Sequence, residues 1–415
     1  MSRRLVVALG ALGLVVMGVA IAILVRSAPQ PGPTPVPTPT TTNAPTETAM
    51  LVAVRDDTGM IADAVLMGTR EAPVSGSWLS LIPGLSLDLN LDGEMTLALE
   101  GPWDPAETAA SLGNQLGAKV TGGFVMDRLA FAAMVDAVGG VEVNSPVPII
   151  EVSKTGQNVV VVKAGHRHLY GPAAAAYVTL LNPGERQASR MARFDEVWPQ
   201  VILKLPGNSD RVRSVIVNLG SSSRTSMSPD AIANALLTYQ TALTDRKTTS
   251  GTLPTQASGA SVSAGPAVVY TMTPATAVPM VKSLFAESIL VPGTDGALPR
   301  VRFYAAGAPD TAVVQAKDAL FKAGMSFVWG SQYQPTPTST VYLPVAGDQA
   351  GIGQRVTTAL EIEATVFSVD PALTVGVQAA VVAGTNLFQP PASASPSTTG
   401  VATGTPKPVP TRVTP

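Results

Sequence analysis

The sequence contains no cysteine and only two histidines, His166 and His168. A chain without cysteine cannot form disulfides, thiolate zinc sites, iron–sulfur clusters or a cysteine nucleophile. With so few imidazoles, zinc catalysis and Ser-His-Asp chemistry are nearly excluded as well.

Charge is also scarce, because only 13% of the 415 residues are charged. The 27 basic and 29 acidic residues give a net charge of −2, so the chain has no overall basic field to hold nucleic acid. Hydrophobic residues make up 46% of the sequence and the mean hydropathy is +0.27, a high value for a purely soluble protein. Some apolar sequence is therefore expected to lie in lipid.

The N-terminus predicts a membrane anchor. An uncharged apolar stretch runs from Leu5 to Val25, with Arg3 and Arg4 before it and Arg26 after it. About 20 helical residues cross the roughly 30 Å hydrocarbon layer. We expect residues 1–26 to be an uncleaved transmembrane helix, with the N-terminus cytoplasmic and the following domains extracytoplasmic. A cleaved signal peptide is the alternative.

Three segments of biased composition divide the rest of the chain. Residues 27–48 alternate proline with threonine and small residues, which predicts an extended stalk, and residues 389–415 predict a disordered tail of similar composition. Residues 248–265, rich in Ser, Thr, Gly and Ala, predict a long low-complexity loop.

Between these segments, strand-like and helix-like patterns alternate, which indicates a layered α/β protein. The predicted strands are Met50–Val54, Ala64–Met67, Trp78–Ile82, Gly140–Val143, Val159–Val162, Val215–Asn218, Ala267–Tyr270, Val301–Tyr304, Ser326–Trp329, Thr340–Leu343 and Ala364–Val369. The predicted helices are one that begins after the Asp104-Pro105 cap, then Asp127–Val138 with Leu129 facing inward, Glu185–Lys204, Pro229–Leu243 and Ala275–Phe285.

Four motifs resemble those of one family of bacterial envelope proteins. They are, in chain order, RDDTGMIADAV (55–65), SLIPGL (80–85), VDAVGGVEV (135–143) and AGHRHLYGPAAAAYV (164–178). Together they resemble the LytR-CpsA-Psr (LCP) family over residues 49–290. Residues 298–388 resemble the small α/β C-terminal domain that often follows it.

The resemblance implies a three-layer α-β-α domain with a central mixed sheet, and a transferase activity. Members of the family attach a glycopolymer, carried on a polyprenyl diphosphate, to peptidoglycan. Arginines and a magnesium ion hold the diphosphate, and the polyprenyl tail lies in an apolar tunnel. Such chemistry needs fixed positive charge because phosphoryl transfer depends on positioning and on stabilising anionic oxygens.

Five residues of this sequence match or extend the family's site. Asp56 and Asp63 match the acidic positions, so Mg²⁺ on Asp56 and Asp63 is implied, with Asp63 also catalytic. Arg190 and Arg193 match an Arg-x-x-Arg pair and are the implied catalytic and diphosphate-binding arginines. Arg186, one helical turn earlier, would join them on one face as a third diphosphate ligand.

The rest of the family's charged set is replaced. Arginines are expected where the sequence has Ile61, Gly84, Thr179 and Leu181, and aspartates where it has Leu85 and Tyr170. Two functions therefore stay open: a glycopolymer–peptidoglycan transferase, and a catalytically degenerate LCP-like binding or scaffold protein of the envelope. The residues also admit a purely structural interpretation, in which the arginines pair with Glu185 or Asp195 and Asp56 ends a turn.

Overall fold

The computed structural model of the protein describes residues 47–91, 93–100, 104–153, 155–258, 268–293, 296–348, 351–363 and 367–388. The strands in these ranges are β1 (Glu47–Arg55), β2 (Ile61–Glu71), β3 (Val74–Leu81), β4 (Ser86–Asn90), β5 (Gly93–Thr96), β6 (Gly122–Met126), β7 (Val141–Ser145), β8 (Ile149–Val152), β9 (Asn158–Val162), β10 (Gly165–Leu169), β11 (Ser223–Thr225), β12 (Thr248–Thr252), β13 (Thr255–Ala257), β14 (Tyr270–Met272), β15 (Arg300–Ala305), β16 (Ser326–Gln332), β17 (Thr340–Leu343), β18 (Ser368–Val369) and β19 (Ala379–Ala383).

The helices in the same ranges separate these strands. They are α1 (Leu97–Glu100), α2 (Pro105–Leu116), α3 (Arg128–Ala137), α4 (Gly171–Thr179), α5 (Gln187–Leu203), α6 (Ser209–Asn218), α7 (Pro229–Thr244), α8 (Pro274–Leu284), α9 (Asp310–Lys322) and α10 (Ile352–Leu360).

A six-stranded mixed sheet forms the centre of the N-terminal part of the described chain. Its strand order is β11-β6-β1-β2-β3-β12. Strands β1, β2 and β3 pair antiparallel in sequence, whereas β6 joins β1 and β12 joins β3 in parallel. The central strands are apolar on both sides, as expected for strands that are covered on both faces.

Helices cover both faces of this sheet. Alternate residues of β1 divide between two cores, because successive side chains of a strand point to opposite faces. Helices α3 to α7 bury their apolar sides on one face, and α2 and α8 do so on the other. The predicted three-layer α-β-α arrangement around a mixed sheet is therefore confirmed.

Asp104 begins α2 as the sequence predicts. Its side chain accepts hydrogen bonds from the backbone amides of Ala106, at 2.8 Å, and Glu107, at 3.3 Å. The helix ends at Gly117, whose φ of 75° few other residues adopt without strain.

A second, five-stranded sheet follows, in the order β16-β15-β19-β17-β18. Helices α9 and α10 close a separate core around it, which includes Val301, Phe303, Trp329 and Val381. This is a small α/β unit, as expected for residues 298–388.

Arg300 joins the second sheet to the end of α2. Its guanidinium donates to the carbonyl oxygens of Asn114, at 2.6 and 3.1 Å, Gln115, at 3.2 Å, and Gly376, at 2.7 Å. Two of these three carbonyls belong to the last turn of α2, where backbone oxygens have no partner within the helix. Burial, and next the neighbouring Arg302, lowers the pKa of Arg300 to about 9, so the group is still charged at neutral pH.

Several sequence predictions differ from the structure. The segment predicted as a strand at Val215–Asn218 lies in α6, a helix capped by Asn208. Ile216 packs into the core one turn after Val212, whereas Val217 is exposed, as the helical period requires. Residues 248–265 are not simply a loop: Thr248–Thr252 forms the edge strand β12 and Thr255–Ala257 forms β13, while residues 259–265 lie outside the described ranges. Leu129, predicted to face inward, is 70% exposed.

The predicted termini fall largely outside the described residues. The anchor (residues 1–26) and the tail (389–415) lie outside them entirely, and of the stalk only Glu47 and Thr48 are described, where they begin β1. Among the described residues, no helix combines the length and the apolar character that a bilayer crossing requires.

We predict that Arg300→Ala lowers the free energy of unfolding by at least about 2 kcal/mol, because it leaves several buried carbonyl oxygens without donors. Arg213→Ala is the control, because it removes only an exposed ion pair with Asp230 and should change stability by less than about 0.5 kcal/mol. Urea unfolding of both variants measures the difference. Equal stability would mean that Arg300 does not hold the two sheets together.

Candidate functional site

The predicted site residues lie where β2 and α5 meet. Strand β2 presents Asp63 to the helical layer beside α5, and α5 carries Arg190 and Arg193 in its first two turns. Arg186 is the residue that precedes the helix and has an extended backbone, so α5 begins two residues after the predicted Glu185 and Arg186 is its N-cap.

Arg190 joins α5 to strand β2 and to the end of α4. It donates from Nη2 to the carbonyl of Ala62 at 2.6 Å and from Nη1 to the carbonyl of Thr179 at 3.4 Å. Its Nε lies 3.5 Å from Oδ2 of Asp63. A guanidinium carries five N–H groups, so donors remain on both Nη atoms after these two hydrogen bonds.

Asp63 is buried, with 1% of its surface exposed. Neither of its carboxylate oxygens has a hydrogen-bond partner among the described residues. Burial raises the pKa of Asp63 well above its usual range, and the positive charges of Arg190 and then Arg193 offset only part of this effect. Asp63 is therefore a buried neighbour of Arg190 with no hydrogen bond of its own among the described residues.

Arg193 faces a different part of the structure. It donates from Nε to the carbonyl of Tyr177 at 2.5 Å, contacts the carbonyl of Leu180 and forms an ion pair with Glu185. Its guanidinium carbon lies 5.5 Å from the centre of the Tyr177 ring. The alternative in which an arginine pairs with Glu185 thus describes Arg193, but not Arg190.

A cavity of about 600 Å³ opens beside Arg190. Arg186, Arg190 and Asp56 are on its wall, whereas Asp63 and Arg193 are not. Most of the remaining wall is apolar, from Met60, Ile61, Ile82, Pro83, Ala98, Leu181, Val268 and others. The structure therefore brings three of the five predicted charged residues to one partly apolar cavity.

Asp56 ends β1 in a tight turn. Its Oδ1 accepts hydrogen bonds from the backbone amides of Thr58, at 2.9 Å, and Met60, at 3.2 Å, and from the Thr58 hydroxyl. This is the turn role that Asp commonly has, and it also fixes the carboxylate at the cavity wall.

The turn at Pro83-Gly84 explains one of the missing arginines. A side-chain Cβ at Gly84 would lie 2.4 Å from the carbonyl oxygen of Val268. The backbone amide of Tyr270 also donates to the Gly84 carbonyl at 2.8 Å. The segment around Val268 and Tyr270 therefore covers this turn and occupies the position that an arginine side chain would need.

Tyr270, Val268 and Glu185 are site residues that the sequence analysis did not assign to the cavity. Tyr270 and Val268 follow a low-complexity stretch and lie more than 180 residues from the turn that they cover, so no local spacing connects them. The sequence analysis names Glu185 only as an ion-pair partner of the arginines, which it is for Arg193, and no sequence signal places it on the cavity wall.

The residues fit a magnesium ion only in part. In the ranges that the structure describes, no group of three or more His, Asp or Glu side chains is arranged to hold a metal. Mg²⁺ can, however, bind through a single carboxylate together with substrate phosphates, and Asp56 is placed for that role. Asp63 lies behind the wall next to a guanidinium and does not reach the cavity.

The fold and the site together define a three-layer α/β protein with basic groups on the wall of a mainly apolar cavity. Residues 101–278 match the profile of the LytR_cpsA_psr family, which confirms the resemblance over this segment. The match ends before the second sheet, so a LytR C-terminal domain at 298–388 stays a prediction.

Three solved structures are similar to part of this chain. The structure of TagV from B. subtilis is 16% identical, with 60% of this chain and 100% of that chain covered and a TM-score of 0.48. The LytR-Csp2A-Psr enzyme from Actinomyces oris is 20% identical, with 60% of this chain and 94% of that chain covered and a TM-score of 0.44. TagT bound to LIIa-WTA is 17% identical, with 60% of this chain and 93% of that chain covered and a TM-score of 0.45. No curated protein matches the chain, and likenesses this remote assign no role to any residue.

We predict that Asp63→Asn changes the pH dependence of stability. An acid whose pKa is raised by folding contributes stability below its unfolded pKa, near 3.9, and loses it as the pH rises through the raised value. Asparagine cannot ionise, so the variant should gain stability relative to the natural protein as the pH rises from about 4 to 8.

Urea unfolding across this pH range measures the difference, with the exposed Asp230→Asn as the control. The opposite result would be a natural protein whose free energy of unfolding rises with pH relative to that of Asp63→Asn. The attraction of Arg190 for the carboxylate would then outweigh the cost of burying it.

Proposed function

We propose that the protein acts in cell-envelope biogenesis and binds a lipid-diphosphate-linked glycopolymer at the cavity beside Arg190, for transfer to peptidoglycan. The observation that carries the proposal is the joint placement of Arg186, Arg190 and Asp56 on one wall of a mainly apolar cavity. The family match over residues 101–278 supports the same substrate class.

A diphosphate fits this wall chemically. Arg190 has unused N–H groups on both Nη atoms, and Arg186 is exposed at the start of α5. The first amides of α5 add partial positive charge at the same place. The apolar wall suits the first isoprene units of a polyprenyl chain.

Asp63 has a positioning role in this proposal. It does not reach the cavity, and its 3.5 Å approach to Nε helps to fix the Arg190 guanidinium while two carbonyls hold the Nη atoms. Arg193, predicted as a catalytic and diphosphate-binding residue, instead anchors the loop that contains Leu180 and Glu185. Both residues act through others and do not contact substrate.

Magnesium belongs to the same proposal through Asp56. A bound Mg²⁺ would neutralise diphosphate charge. Of the two carboxylates on the cavity wall, Asp56 would hold it, because Glu185 is already paired with Arg193.

A second candidate function is binding without transfer. It is favoured by Gly84, where an arginine has no room, and by the apolar Ile61 and Leu181 on the cavity wall. Few charged groups then face the diphosphate. These groups are enough to bind the substrate, but they stabilise the charge of the transition state too weakly for transfer.

We predict that Arg190→Ala weakens the binding of a polyprenyl diphosphate at least about 10-fold, because hydrogen bonds from a charged group contribute about 1.5–3 kcal/mol. Calorimetric titration measures the affinity. Arg213→Ala, which changes an exposed arginine on α6, should bind normally. Unchanged affinity in Arg190→Ala would remove the assigned site.

Transfer is tested separately from binding. With a lipid-diphosphate-linked glycopolymer and peptidoglycan as acceptor, release of the lipid diphosphate by the natural protein but not by Arg190→Ala indicates a transferase. Binding without release indicates the degenerate alternative. If the natural protein shows neither binding nor release, the proposal is wrong.

We predict that Mg²⁺ tightens the binding of the diphosphate to the natural protein and does so less for Asp56→Asn, because the amide carries no charge. The measurement is the same titration with and without Mg²⁺, and Asp57→Asn is the matched control in the neighbouring position. An equal Mg²⁺ effect in both variants would exclude Asp56 as the ligand.

A further inference from the structure

Asp195 is a partly buried carboxylate on the side of α5 that faces strand β3. Its Oδ1 accepts a hydrogen bond from Nε1 of Trp78 at 3.0 Å, and its Oδ2 accepts one from the Ser80 hydroxyl at 2.7 Å. Both donors lie on β3 and are themselves buried. These two bonds fix the orientation of the carboxylate.

The Asp195 carboxylate has no cationic partner among the described residues. Its neighbours are the two neutral donors, and burial raises the pKa of Asp195 in spite of their hydrogen bonds. Buried carboxylates are normally paired with a cation, because the cost of removing a charge from water is large. The local structure therefore has an unbalanced negative charge.

A cavity of about 280 Å³ lies next to this charge. Asp195 and Ser80 are on its wall, together with the rings of Trp78 and Tyr239, whose centres are 6.0 Å apart. The cavity shares no wall residue with the one beside Arg190.

The outer wall of this cavity is a row of hydroxyl groups. Thr248, Ser250 and Thr252 alternate along the edge strand β12 and all line the cavity, as residues two apart on a strand share one face. A carboxylate, aromatic rings and several hydroxyls are thus gathered in a space below the roughly 300–1,000 Å³ of sites for drug-sized ligands.

We propose that this cavity binds the protonated amino group of a hydroxylated ligand about the size of one amino sugar. The ammonium group supplies the charge that Asp195 lacks, the aromatic rings attract the same cation, and the hydroxyls of β12 contact the ligand's hydroxyls. The site is distinct from the proposed diphosphate site, so either proposal can fail without the other.

The indole N–H of Trp78 gives a direct readout, because it donates to Asp195. Its ¹H–¹⁵N resonance should shift on titration with glucosamine. Glucose lacks the charge and N-acetylglucosamine has a neutral amide in its place, so both should bind at least about 10-fold more weakly. Potassium chloride at equal concentration controls for ionic strength.

Asp195→Asn should weaken glucosamine binding at least about 10-fold. Glu196→Gln is the matched control, because Glu196 is the next residue of α5 but accepts hydrogen bonds from Tyr177 and Asn144 on another side. This variant should bind as the natural protein does. If Asp195→Asn fails to fold, Ser250→Phe blocks the cavity from an exposed strand position and should remove the response.

Three results would overturn the proposal. They are equal binding of glucose, an equal shift with potassium chloride alone, and no saturable shift with glucosamine in the natural protein. Retained binding in both Asp195→Asn and Ser250→Phe would likewise place the ligand elsewhere.

Discussion

The approach of Arg190 to Asp63 is the interaction on which the rest of the site depends. It joins the second strand of the central sheet to the first turns of α5, and both groups are buried. The pair is not an ideal salt bridge, since Nε and Oδ2 are 3.5 Å apart and the hydrogen-bond capacity of the carboxylate is unused. The two backbone carbonyls that Arg190 binds therefore matter as much as the carboxylate in fixing the guanidinium.

Helix α5 separates three different environments. Arg190 faces the apolar cavity that Asp56 and Arg186 also line. Arg193 and Glu196 face a second cavity, which Tyr177 also lines, and Asp195 faces the aromatic and hydroxyl groups near β12. Each helical residue is turned by about 100° from the one before it, so neighbours in sequence have different partners. One helix can therefore serve an anionic ligand on one side and a cationic one on another.

The sequence predicted the layered fold well because apolar periodicity and caps are local signals. The strand at residues 340–343 and the cap at Asp104 are found as predicted, since a short apolar run and a capping residue before proline can both be identified locally in the sequence. Val215–Asn218 is predicted as a strand but is helical, because a short apolar run does not distinguish the helical period of about 3.6 residues from the strand period of about 2. The edge strand β12 was missed because its small polar residues resemble a linker, and only pairing with β3 makes them a strand.

The site was predictable only in part, for a related reason. Motif matching found Asp56, Asp63 and Arg190, which the fold does bring near one another or to one cavity. It could not determine which side of the protein each group faces, as the burial of Asp63 and the inward turn of Arg193 show. The cover over Gly84 depends on Val268, which no spacing rule connects to it.

The attachment of Arg300 to the final turn of α2 makes this helix depend on a residue of the second sheet. A helix that relies on a guanidinium from a later segment to satisfy its last carbonyls is incomplete by itself. Without the second sheet, α2 would need water or another side chain at this place. The C-terminal unit is therefore part of what completes a helix of the first one.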